Sequence, residues 1–114
     1  MKAYTDLNQS KKLAEILPME SADMYYFTII RDYPYSQGKT KTIAKIMDGS
    51  FSSNYDTPCW SLAALLKMLK DYQLFSNGLI VYIDNESYKI DSDNPVDNCV
   101  KMIIKLHELN LLRL

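Results

Sequence analysis

The chain has 114 residues, 47% hydrophobic and 24% charged, with three glycines and four prolines. That suits one globular domain spanning 1–114 and excludes collagen-like, linker-rich and disordered chains. The net charge of −1 lacks the broad basic excess of a dedicated nucleic-acid binder or of a polybasic membrane binder.

Asp6 and Gln9 have the spacing of a capping box. Leu7, Ser10, Leu13, Ala14 and Leu17 follow at three- and four-residue spacing, and Pro18 is a stop, so the first helix is expected over 7–17. Met24 to Arg31 is β-branched, aromatic and apolar on both faces, the pattern of a central strand or of one covered on both sides. After the turn residues 32–38, positions 40–47 alternate loosely and can pair back as a second strand. Thr57-Pro58 reads as a cap followed by proline at the first helical position, and the apolar run through Leu69 predicts a buried central helix over 58–71.

Leu79 to Asp84 is the clearest strand. Residues 84–87 read as a turn and 87–90 as its returning partner. Asn94-Pro95-Val96-Asp97 repeats the grammar of a helix start, with an acid near the positive end of the helix dipole. The third helix is expected over 95–110, with a stripe of Val96, Cys99, Val100, Ile103, Leu106, His107 and Asn110. The order α-β-β-α-β-β-α implies an α+β fold, a small and mainly antiparallel sheet packed with three helices. Two αββ units could be a duplication, but the shared pattern is no more than common amphipathicity.

No apolar run approaches the roughly 20 residues that cross a bilayer. The first six residues carry no apolar signal core, and two cysteines do not make a disulfide framework. The expected setting is cytoplasmic, with reduced thiols, no cofactor and no membrane partner.

Four features could carry chemistry. Cys59, expected in the first turn of a helix, would feel the dipole that favours thiolate, with His107 the one histidine available as base. The simpler account is a small core residue beside Trp60. The acids Asp84, Glu86, Asp91, Asp93 and Asp97 resemble a calcium loop only in part. Counted from Asp91, Pro95 takes the fifth position, Val96 replaces the sixth-position glycine and Met102 the twelfth-position glutamate, so no metal site is expected. Turn and first-turn positions account for the same acids.

Arg31, Tyr33, Tyr35, Lys39, Lys41 and Lys45 interleave cations with aromatic rings, as nucleic-acid contacts require. The alternative is a tyrosine-rich hairpin whose lysines protect an edge strand. Gly38-Lys39-Thr40 ends like a phosphate-binding loop but lacks the upstream glycine, since Tyr33 stands there. Finally, Met102, Ile104, Leu109 and Leu112 fall off the expected stripe of the third helix or beyond its end. They are interface candidates, with a homodimer as one way of covering them. The competing arrangement buries the third helix on both sides, between the sheet and the first helix.

Three segments together are similar to a known family: Leu13–Pro18 with Ser21–Met24, Pro58–Leu66, and Asp93–Asp97 running into Met102–Leu109. They resemble small uncharacterised proteins of gut Bacteroides bacteria and their phages and mobile elements. The likeness covers both ends and the centre of the chain, and residues 25–56 and 71–92 are where such proteins differ. It implies a cytosolic accessory protein and no activity, cofactor or catalytic residue. The expected function is a non-enzymatic interaction protein with an unknown protein partner. The alternative is a weak nucleic-acid-binding module built on residues 31–45.

Overall fold

The structure, a computed structural model, describes residues 2–30, 40–46 and 57–112. Within these the chain forms α1 (Leu7–Ala14), a 3₁₀ turn (Met19–Ser21), β1 (Met24–Ile30), β2 (Thr40–Ile46), β3 (Thr57–Cys59), α2 (Leu62–Lys67), β4 (Tyr72–Phe75), β5 (Gly78–Ile83), β6 (Glu86–Asp91) and α3 (Pro95–Glu108). The α+β class and the order of the expected elements hold. Two short strands, β3 and β4, are added, and the strands divide between two antiparallel sheets, β2-β1-β3 and β4-β5-β6.

The capping box forms at α1: the Gln9 amide donates to Asp6 Oδ1 at 2.7 Å and the Asp6 amide to Gln9 Oε1 at 3.1 Å. The helix ends at Ala14, three residues short of the expected end. A tightened turn carries the face onward, because the Ile16 and Leu17 amides both donate to the Leu13 carbonyl. Leu13 and Leu17 are both buried.

β1 is the central strand of its sheet, as its two apolar faces predict. It runs against β2 from Met24 opposite Ile46 to Ile30 opposite Thr40. On its other side Met24, Tyr25 and Tyr26 lie opposite Cys59, Pro58 and Thr57.

The expected helix over 58–71 is corrected here. Thr57-Pro58-Cys59 is an edge strand, where proline's missing N–H is tolerated. The helix begins only at Leu62, capped by Ser61, whose hydroxyl accepts from the Ala64 amide at 3.2 Å. Asp23 fixes Ser61 in turn: its Oδ1 accepts from the Ser61 amide at 2.9 Å, and its other oxygen accepts from the Ser61 hydroxyl. The N-terminal segment lies beside this junction. The Thr5 amide donates to the Trp60 carbonyl at 2.9 Å and the Leu62 amide to the Ala3 carbonyl at 3.2 Å.

Asp84 and Asn85 join β5 to β6, both with positive φ (49° and 68°). A two-residue turn of this hand matches the twist of the strands, and Asp and Asn tolerate it better than other side chains. Gly78 opens β5 where a Cβ would sit 3.0 Å from the Ile90 carbonyl oxygen, so only glycine fits without displacing backbone.

α3 begins as its sequence predicts, with the Asn94 side chain accepting from the Asp97 amide at 3.1 Å and Pro95 at the first helical position. It ends at Glu108. The Leu111 amide donates to the Leu106 carbonyl at 2.8 Å and the Asn110 amide to the His107 carbonyl at 3.1 Å, with Asn110 at φ 57°. This Schellman closure turns Leu111 and Leu112 back onto the core.

α3 packs against β5 and β6 on one side and against α1 and α2 on the other. It is therefore buried over a wide arc: Val96, Cys99, Val100, Met102, Ile103 and Leu106 are all inside, together with Trp60, Leu65, Leu79 and Val81. His107 and Asn110, expected on the buried stripe, are exposed instead. His107 lies in the last turn of α3 and Asn110 in the closing turn beyond it.

Candidate functional site

Cys59 does not lie in a helix. It sits in β3, so no helix dipole acts on it, and it is fully buried. Its sulfur lies 3.6 Å from Thr5 Oγ1 and 3.5 Å from the Thr5 carbonyl oxygen, to which the thiol donates. Burial pushes the Cys59 thiol above its ordinary value, against hydrogen bonds from Thr5 and Ser10 that favour the thiolate. Cys99, also buried, is pushed up to about 12 by burial. Thr5 is the hub of this corner. Its hydroxyl meets Ser10 Oγ at 2.7 Å and accepts from the Trp60 amide at 3.2 Å, while its carbonyl accepts from the Tyr26 hydroxyl at 2.7 Å. These bonds tie α1, β1 and β3 together.

The acids also have structural places. Asp97 Oδ1 accepts from Lys2 Nζ and from Gln9 Nε2, both at 2.7 Å. The Lys2 hydrogen bond is the main reason the Asp97 carboxyl is held below the usual carboxylate range. Asp91 lies 3.5 Å from Lys89. Among the described residues no three His, Cys, Asp or Glu side chains converge to hold a metal ion.

Of the basic and aromatic positions, Arg31, Tyr33, Tyr35 and Lys39 lie outside the described residues. Lys41 and Lys45 belong to β2, opposite Ile29 and Tyr25 in the backbone register. The interface candidates separate. Met102 is fully buried, a correction to its expected place off the stripe. It lies three residues after Cys99 and four before Leu106, on the same buried side. Ile104 and Leu112 are half-buried and packed on the core, so they offer little surface. Leu109 alone is open, at 49% exposure.

The open apolar surface lies elsewhere, on β4, a segment to which the sequence reading assigns no element. Tyr72, Gln73, Leu74 and Phe75 are all exposed. Tyr72 and Leu74 stand opposite Val81 and Leu79 in the register, on the sheet face that α3 covers farther in. Val81 and Leu79 are buried, whereas Tyr72 and Leu74 remain 40% and 37% exposed. The strand thus extends past its cover.

β4 is also an edge of its sheet. The Tyr82 amide donates to the Asp71 carbonyl at 2.9 Å, which makes that pair hydrogen-bonded. Alternation along an antiparallel ladder then directs the N–H and C=O groups of Gln73 and Phe75 toward β5, and those of Tyr72 and Leu74 outward. The strand has no lysine or proline to blunt this edge.

Beside the start of β4 is a cavity of about 130 Å³. Leu69, Val81, Ile83, Leu106, Leu111 and Leu112 give it an apolar lining, and Lys70, Asp71 and Asp84 stand at it as well. A shallower depression shares Asp71, Tyr82 and Asp84 and adds Glu86. The sequence carries a signal for β4 in Asn77-Gly78 after the alternation Tyr72-Gln73-Leu74. It carries none for the cavity, whose walls come from α2, β5 and the chain after α3.

No helix among the described residues is long and apolar enough to cross a membrane. Compared with family models, curated proteins and solved structures, the chain matches none.

Proposed function

We propose that this chain is a non-enzymatic interaction protein and that its contact surface is the open edge of β4. One observation carries the reading. Four consecutive residues of an edge strand, three of them large and apolar, stay exposed while their outward backbone groups have no ladder partner among the described residues. Such an edge is a template for strand addition, in which main-chain hydrogen bonds supply affinity and flanking side chains supply selectivity. The buried, neutral Cys59 supports the same reading, because a nucleophile needs access and thiolate character. A cytoplasmic accessory role to a phage or mobile element is the setting that the family resemblance implies.

Site-specific photo-crosslinking in the cells that express the chain tests this. A crosslinker in place of Leu74 should give one discrete protein adduct, and a crosslinker in place of Lys12, exposed on α1, should not give it. The same adducts from both positions, or none from position 74, would overturn the reading.

A further inference from the structure

We infer that the strand added to β4 is β4 of a second copy of this chain, paired antiparallel about a two-fold axis beside Gln73. This inference rests on the β4 reading and names the partner. The outward backbone groups select it. Tyr72 and Leu74 are the residues of β4 whose N–H and C=O groups point away from β5, and no described residue pairs with them. One register of two β4 strands uses all of these groups at once. It sets Gln73 opposite Gln73 of the second copy, so Tyr72 meets Leu74 of the second copy and Leu74 meets its Tyr72. Residues so opposed exchange both of their main-chain hydrogen bonds, and the two-fold axis makes the two pairs identical.

The side chains agree with that register. On the face that α3 covers farther in, Tyr72 lies beside Leu74 of the second copy, so the apolar surface each strand leaves open is met by the other. On the opposite face the two Gln73 amides meet at the axis. An amide both donates and accepts, which makes it complementary to its own copy. Gln73 Oε1 accepts from the Tyr82 hydroxyl at 3.1 Å, and its NH₂ group is left to donate across the axis. No like charges oppose one another, because Tyr72–Asn77 carries none and Asp71 falls opposite Phe75 of the second copy. Growth stops at two copies. The other edge of this sheet is β6, where Glu86, Lys89 and Asp91 are all exposed, and charged side chains oppose further pairing. Four residues a side fall far short of the roughly 20–30 of a standard interface, so the dimer is weak, with a dissociation constant on the order of 100 µM. Below about 10 µM the chain is therefore isolated and its edge is open.

Sedimentation of the full chain between about 1 and about 500 µM tests the inference. The chain should run as a monomer at the low end and as a monomer–dimer equilibrium at the high end. Tyr72→Lys and Leu74→Glu should each weaken the dimer about tenfold, since each sets a charge against an apolar residue of the second copy. The double variant tests the register. The introduced lysine of each copy then faces the introduced glutamate of the other, and the dimer should be about threefold to tenfold tighter than that of either single variant. Both positions are exposed, so the variants should keep the fold, which an unchanged urea midpoint of the monomer checks. A monomer across the whole range, assembly that continues past two copies, or a double variant no tighter than the single ones would overturn the inference. In cells, the adduct from position 74 should carry twice the mass of one chain. An adduct of any other mass, with the chain monomeric throughout, leaves the β4 reading standing and this inference wrong, whereas no adduct removes the β4 reading itself.

Discussion

Trp60→Ala should cost about 3–5 kcal/mol of folding stability, the largest loss expected from any single truncation. Trp60 is fully buried where the N-terminal segment, α1 and the start of α2 meet. Its indole N–H donates to Ser21 Oγ at 2.9 Å, and its backbone holds Thr5 on both sides of the peptide. Alanine keeps the backbone bonds and loses the ring, leaving a cavity too large for such a small core to close. Small domains are stable by only about 5–15 kcal/mol, so much of the margin goes. Trp60→Phe retains most of the volume and loses one hydrogen bond, so about 1–2 kcal/mol is expected. Urea unfolding followed by circular dichroism measures both. A loss under about 1 kcal/mol for Trp60→Ala would mean that the ring is not packed as described.

Met102→Lys and Leu109→Lys should behave oppositely, although both residues lie in the same apolar stretch of sequence. Met102 is wholly enclosed by the core, with α3 covered from both sides. An ammonium there has no partner, and an uncompensated buried charge costs about 3–5 kcal/mol. Leu109 is half exposed beyond the end of α3, where a lysine reaches water and a change within about 0.5 kcal/mol is expected. The readout is again the urea midpoint. A stable, folded Met102→Lys protein would show that this side of α3 faces solvent and would restore it as an interface.

The pair shows how far the sequence could be read. Local chemistry was legible. Asp6 with Gln9, and Asn94 with Pro95, specify helix starts by themselves, and Asp84-Asn85 between two strands specifies a turn of one hand. The two apolar faces of Met24–Ile30 correctly implied neighbours on both sides. Pro58 was misleading because a first helical turn and an edge strand make the same demand, a residue whose N–H is not needed. The run Leu62–Leu69 reads as one long buried helix, since periodicity does not distinguish it from a single short helix followed by a turn. The width of the buried arc on α3 depends on what packs behind it, so Met102 could not be placed from helix spacing alone. The cavity was beyond reach for the same reason. Leu69, Val81, Ile83 and Leu111 meet only through tertiary packing, and the exposure of β4 depends on where α3 ends.

Amide hydrogen exchange along β4 in the isolated chain tests the central claim most directly. An open edge predicts alternation: slow exchange at Gln73 and Phe75, whose amides bond to β5, and fast exchange at Tyr72 and Leu74, whose amides point outward. Slow exchange at all four residues would show that the edge is already covered and would contradict the account.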